Sequence, residues 1–375
     1  MTSTSGSDGT RVVEIIEAFW KHAKTYYRFE DGTPTGSGDR SIRYALRPLR
    51  LLFADFPVAE FGTASLETVR NYMIGTGLAR KVVNQRVDII KRMFRWAESR
   101  QLVARGTWHN LTSLEPLKAG RSDAPETDPV EPVAWEHVEA TLPHLPTMLR
   151  AMVLLQWRTG MRPGEIVAVR EADIDKSGEV WIYRPRHHKT KHKGIKREVP
   201  LLDEARAILE PFLGAKREFL FVASGHKAKA VRYTTSTYSQ AVRRGAAAAS
   251  APGRHDAILA AIPEDVRGFF ENKVRQLAAH LSAPRLAGLI KRIAARKELD
   301  GAKLAKVAVA ALEKHKDAVP AWSPNQLRHA AATRIANGSR LEDARIVLGH
   351  TDPRTTLRYV KPDLQRAIDA MKKLG

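Results

Sequence analysis

Four short segments of the chain carry residues whose types and spacing suit the handling of an anion. In LQWRTGMRPGEI, an apolar helix over 148–157 should stop at Gly160, which lacks a Cβ and so fits a helix C-terminus. Pro163 fits the first turn of the next helix, so Arg162 stands at a helix–helix corner, presented rather than buried. Glu165 lies three residues on and could orient that guanidinium as a bidentate partner. Alone, an arginine at a helix start is commonly no more than a surface charge. In WSPNQLRHAAATRIANG, Ser323 reads as an N-cap, Pro324 as the first helical residue and Gln326 as the return arm of a capping box, with Gly338 closing the helix. Asn325 and Arg328, three apart, should share a face near the helix N-terminus, where the dipole favours an anion such as phosphate. His329 falls on a different azimuth and reads as structural.

In VWIYRPRHHKTKHKGIKREVPL, residues 180–183 and 198–201 are strand-like and enclose a polar, basic turn. This is the pattern of a β-hairpin with Lys189 near its tip, from which a lysine could reach into a DNA groove. His187, His188 and His192 in the same turn suggest a metal, but no carboxylate or thiolate is spaced to complete a site. In VLGHTDPRTTLRYV, Gly349 ends a helix and releases His350 at the turn. Tyr359 follows, ahead of a final amphipathic helix with Leu364, Ile368 and Met371. Taken singly, Tyr359 would be a packing tyrosine.

The elements that must position these residues are read from periodicity. Residues 1–10 are small and polar and read as a disordered tail. Val13, Ile16, Phe19 and Trp20 recur at helical spacing, and Leu46, Leu49, Leu52 and Phe53 mark a second helix that Pro48 kinks or starts. Helices over 66–74 and 82–96 complete a small bundle within 11–112, with Lys81, Arg86, Lys91 and Arg92 between the apolar positions. Residues 113–133 have no periodicity and hold Pro125, Pro129 and Pro132, the composition of an interdomain linker. From 134 to 375 the pattern is helices with one strand pair, interrupted at about 252–319 by an Ala-, Lys-, Arg- and Leu-rich helical insertion. That insertion is either an ordinary solvated basic face or an accessory contact to DNA or to a second subunit.

A length of 375 residues suggests two domains, and 43% apolar residues are enough for packed cores. The formal charge of +21 points to a polyanionic partner, of which nucleic acid is the usual one. The absence of cysteine excludes disulfides and thiolate metal sites. No secretory leader and no apolar run of bilayer length is present, so a soluble, reducing compartment is expected.

Taken in order, Arg162, Lys189, Arg328, His350 and Tyr359 resemble the active-site set of the tyrosine recombinase (phage integrase) family. The strings TGMRPGE, NQLRHAAAT and LGH…Y match its boxes in order and spacing, across about 134–373 with the insertion excluded. The N-terminal helices resemble that family's core-binding domain only in length, helicity and position. The resemblance implies a mainly α fold with a small β-sheet: an N-terminal helical core-binding (SAM-like) domain and an α+β catalytic domain. It implies a site-specific recombinase or integrase that cleaves and rejoins double-stranded DNA through a 3′-phosphotyrosyl link to Tyr359. In that scheme Arg162 and Arg328 neutralise the phosphate, Lys189 protonates the leaving 5′ oxygen and His350 hydrogen-bonds the phosphate or the nucleophile. No metal and no cofactor is implied. The implied assembly is a homotetramer on two DNA sites, acting in the cytoplasm at the nucleoid. One position departs from the family: Asn325 stands where histidine is usual, and an amide can donate to phosphate but cannot shuttle a proton. Two other readings share these features: a type IB topoisomerase-like enzyme, and an integrase relic that binds DNA without cutting it.

Overall fold

The first helix shows how the apolar spacing becomes a core. In a computed structural model that describes residues 9–28, 32, 37–187, 196–224, 230–315, 317–339, 341–349, 352 and 371–372, α1 (Val12–Tyr26) buries Val12, Ile15, Ile16, Phe19 and Ala23. Its buried stripe is turned by one position from the one expected, leaving Val13 and Trp20 half-buried at the edge. The helices α2 (Ser37–Phe53), α3 (Thr63–Gly75), α4 (Arg80–Ser99) and the short α5 (Thr107–Thr112) close around it. Pro48 lies inside α2 rather than at its start. Phe61 and Phe94 stack at the centre with centroids 4.9 Å apart.

Contacts divide the chain into two units, Met1–Pro129 and Val130–Gly375. Of the tail expected at 1–10, residues 1–8 lie outside the described residues, and the Thr10 carbonyl already accepts the Val58 N–H at 2.9 Å. Much of the stretch that reads as a linker is fastened to the first unit. Asn84 donates to the Leu117 carbonyl at 3.0 Å and accepts the Leu117 N–H at 2.9 Å. The Arg80 N–H donates to the Pro125 carbonyl at 2.9 Å, and its guanidinium pairs with Glu126. Prolines remove periodicity without removing a segment's capacity to dock through its carbonyls.

In the second unit α6 (Trp135–Thr141), α7 (Thr147–Thr159) and α8 (Pro163–Ile166) lead into a three-stranded antiparallel sheet, order β1-β2-β3, of β1 (Ile174–Asp175), β2 (Trp181–Tyr183) and β3 (Val199–Leu201). Tyr183 lies opposite Val199 and Trp181 opposite Leu201, so the alternating residues Tyr183, Val199 and Leu201 turn into the core. The helix α9 (Asp203–Leu209) follows, then a hairpin of β4 (Val222–Ser224) and β5 (Ala230–Arg232) that periodicity did not announce. The helix α10 (Thr235–Ala249) crosses the unit and packs on α6, α7 and α8. Later in the chain come α15 (Pro324–Gly338) and α16 (Leu341–Leu348).

Between α10 and α15 stands the helical insertion: α11 (Ala251–Ala260), α12 (Glu264–Leu277), α13 (Ala283–Ala295) and α14 (Gly301–Lys314). It has an apolar core of its own, with Ile258, Phe270, Leu286, Ile290 and Ala308 fully buried or nearly so. Its two ends are clasped together. Ser250 Oγ donates to the Val319 carbonyl at 3.1 Å and accepts the Val319 N–H at 3.0 Å, and Arg254 forms a two-armed pair with Asp317.

Candidate active site

The Arg162 corner is built as its sequence suggests. The helix α7 ends at Gly160, whose φ of +63° is the left-handed cap that glycine adopts without strain. A Cβ there would sit 2.8 Å from Leu348 Cδ2, so the glycine also lets α16 approach. Gln156 fixes the turn from below: its Nε2 donates to the Met161 carbonyl at 2.9 Å, while its Oε1 accepts the Tyr238 hydroxyl of α10 at 3.0 Å. Arg162 follows in extended backbone and Pro163 opens α8. Glu165, 3% exposed, reaches back to it, but not as the two-oxygen fork expected. One carboxylate oxygen accepts the Arg162 backbone N–H at 2.9 Å and the other accepts Nη1 at 2.8 Å. The position three residues into a helix favours that backbone bond, which leaves one oxygen for the side chain.

The helix α15 starts as the capping pattern requires, with Gln326 Oε1 accepting the Ser323 N–H at 2.9 Å. Its face, however, splits. Arg328 turns inward, 2% exposed, and donates to the Gly160 and Leu348 carbonyls, both at 2.7 Å. Asn325 turns outward and its Nδ2 lies 2.9 Å from His329 Nε2. Residues three apart differ by about 60° in azimuth, enough at a helix end to put one inside and one out. His329 is not merely packed, since it is the side chain that holds Asn325. Burial, then the neighbouring Arg328 charge, lower its pKa, while a bond to the Val130 backbone opposes them.

A residue that the sequence reading passed over completes the cluster. Arg197, two positions before β3, is 6% exposed. Its Nη1 donates to the Val347 carbonyl at 2.7 Å and its Nε lies 3.6 Å from Glu165 Oε1. Arg162 Nη2 makes a long contact of 3.5 Å to the Gly349 carbonyl. Three successive carbonyls at the end of α16, those of Val347, Leu348 and Gly349, are thus each met by a different guanidinium, from Arg197, Arg328 and Arg162. These are carbonyls that a helix end leaves without intrahelical partners. Burial pushes the Glu165 carboxyl up, but Arg197, Arg162, the Arg162 N–H and Arg328 outweigh it and hold the carboxyl below its ordinary value. Arg197 itself is lowered by burial, against the pull of Glu165.

Gly349 ends α16 as expected, with φ +64°. Lys189, His350 and Tyr359 lie outside the described residues, as do His188 and His192 and most of the final segment with Leu364 and Ile368. Among the described residues no cluster of histidine and carboxylate could hold a metal.

With its helical first unit and a second unit that holds a small antiparallel sheet, the chain has the fold of solved tyrosine recombinase integrases. The chain aligns with the Tn1549 transposon integrase in complex with a circular intermediate DNA at TM-score 0.54 and 15% identity, covering 97% of this chain and 99% of that one. With a lambda integrase dimer bound to a COC′ core site the values are 0.57 and 13%, covering 94% and 96%. With a lambda integrase tetramer bound to a Holliday junction they are 0.57 and 13%, covering 95% and 79%. No curated protein matches the sequence. The model of the phage integrase family matches residues 136–257, ending just inside the insertion.

Proposed function

We propose that this site-specific recombinase cuts and rejoins double-stranded DNA with Tyr359 as nucleophile. The phenol oxygen attacks the scissile phosphorus, the bond to the 5′ oxygen breaks, and Lys189 gives that oxygen its proton. A 3′-phosphotyrosyl link and a free 5′-hydroxyl result, and attack by another 5′-hydroxyl reverses the step without an external energy source. Arg162 and Arg328 bind the nonbridging oxygens, whose charge grows in the pentacoordinate transition state. His350 hydrogen-bonds the same group.

The observation that carries this reading is the charge imbalance at the α16 end. Three guanidiniums gather around one carboxylate, that of Glu165. Such a surplus in a partly dry site suits a phosphodiester better than a neutral substrate. The first unit offers a second basic surface, a groove of ≈ 700 Å³ lined by Tyr44, Arg47, Arg50, Tyr72 and Arg86. It is the candidate core-binding surface of an N-terminal domain, and phosphate contacts there would make affinity fall with salt. The working assembly is a homotetramer on two DNA sites, in the cytoplasm at the nucleoid.

The test is a suicide substrate nicked beside the cleavage site. The wild-type protein should become trapped on DNA in an SDS-resistant complex, and Tyr359→Phe should not. Equal behaviour of the two proteins would end the proposal and favour a DNA-binding relic. Asn325 serves as a phosphate donor steered by His329. In the same assay Asn325→Ala should slow trapping about two- to tenfold, the worth of one neutral hydrogen bond. An unchanged rate would remove Asn325 from the site.

A further inference from the structure

Arg197 is an awkward residue to bury. Among the described residues its Nε and Nη2 have no hydrogen-bond partner, and its ion pair with Glu165 is held at 3.6 Å rather than at bonding distance. A guanidinium with idle donors in a dry site destabilises a fold, and an apolar side chain of similar volume packs there at lower cost. Stability therefore does not account for it. Its neighbours do. Its Nη1 grips the Val347 carbonyl, and its Cδ and Nη1 lie 3.1 Å from where a Cβ of Gly349 would be. The turn at Gly349 is moulded against this side chain, and the next residue in the sequence is His350.

We propose that Arg197 is a positioning residue for strand cleavage, locking the C-terminal turn of α16 to the Glu165 carboxylate that orients Arg162. It works through two others: the turn that leads to His350, and the carboxylate shared with Arg162. Arg162 and Arg328 also touch this turn, but they are the arginines assigned to the phosphate, and Arg197 can hold the turn while they engage substrate. The kinetic part of the proposal rests on the strand-transfer reading above, and the structural part does not.

The test compares Arg197→Met and Arg197→Lys with the wild-type protein. Arg197→Met should melt at or above the wild-type temperature and bind duplex DNA with unchanged affinity. Trapping on the suicide substrate at saturating DNA should nevertheless slow about 100-fold, the cost of a misplaced constellation. Arg197→Lys, which keeps the charge and one donor, should recover part of that loss. The pH profile gives a second signature. Glu165 faces Arg197, Arg162, Arg328 and the Tyr183 ring. Without the Arg197 charge its carboxyl protonates more readily, so Arg197→Met should lose more activity than the wild-type protein as pH falls below neutrality. Adding Glu165→Gln should abolish that limb. Amide exchange over 346–349 should quicken selectively in Arg197→Met, whether or not the protein cleaves DNA. Wild-type exchange at that turn overturns the lock even if trapping fails for every variant. A wild-type cleavage rate overturns the proposal, and so does a rate that falls only in step with melting temperature and DNA affinity.

Discussion

Arg328→Ala should slow covalent trapping at saturating DNA by about 100- to 1000-fold, the measured range for deleting one donor from a preorganised charge-stabilising site. The structure gives reasons for the upper end of that range. Arg328 binds two backbone carbonyls, one at the end of α7 and one at the end of α16, at 2.7 Å each. Its loss removes a positive charge from the phosphate site and also unties the two helix ends that carry Arg162 and lead to His350. Arg328→Lys should recover little, because a single ammonium cannot span both carbonyls in the fixed plane of a guanidinium. Stopped single-turnover trapping on the nicked substrate checks the rate. A loss below about tenfold, with melting unchanged, would show that the phosphate is neutralised elsewhere.

Glu165→Ala is the substitution expected to weaken the fold most, by about 3–5 kcal/mol, because it leaves buried guanidiniums without their counter-charge. The pH dependence has a definite sign. The folded-state pKa of Glu165 is lowered, burial being outweighed by Arg197 and Arg162, so the carboxylate contributes stability above its unfolded pKa. That contribution is lost as pH falls through the lower folded value. Urea unfolding of the wild-type protein and of Glu165→Gln should therefore differ most near neutrality and converge in acid. Parallel curves at every pH would mean that folding leaves the Glu165 pKa where it is in the unfolded chain.

Much of the second unit was legible because its signals are local. The stop at Gly160, the Pro163 start, the Ser323–Gln326 cap and the end of α16 at Gly349 each depend on a few adjacent residues, and each is found in place. Relations across the fold were not legible. Arg197 stands in a run with Lys191, Lys193 and Lys196, and nothing local separates the buried arginine from the exposed Lys196 beside it. Its signal lies one step further on, in the alternation of Val199 and Leu201, which fixes which face of β3 is inside. The split between Arg328 and Asn325 was hidden for a similar reason: spacing gives azimuth, while burial depends on what packs against the helix. The segment around Leu117 reads as loose because carbonyls carry no sequence signature, yet it is carbonyls that Asn84 and Arg80 hold. The hairpin β4–β5 has strands of three residues, too short for alternation to stand out.

The clasp between Ser250 and Val319 has an architectural consequence. The insertion leaves and re-enters the second unit through one closed neck and carries its own apolar interior, and its turn at Ala278–His280 also packs on α10. The neck is a natural graft point. A short turn joining its two rims, or a foreign domain whose termini lie side by side, would keep the clasp while giving up the contact of 278–280 with α10.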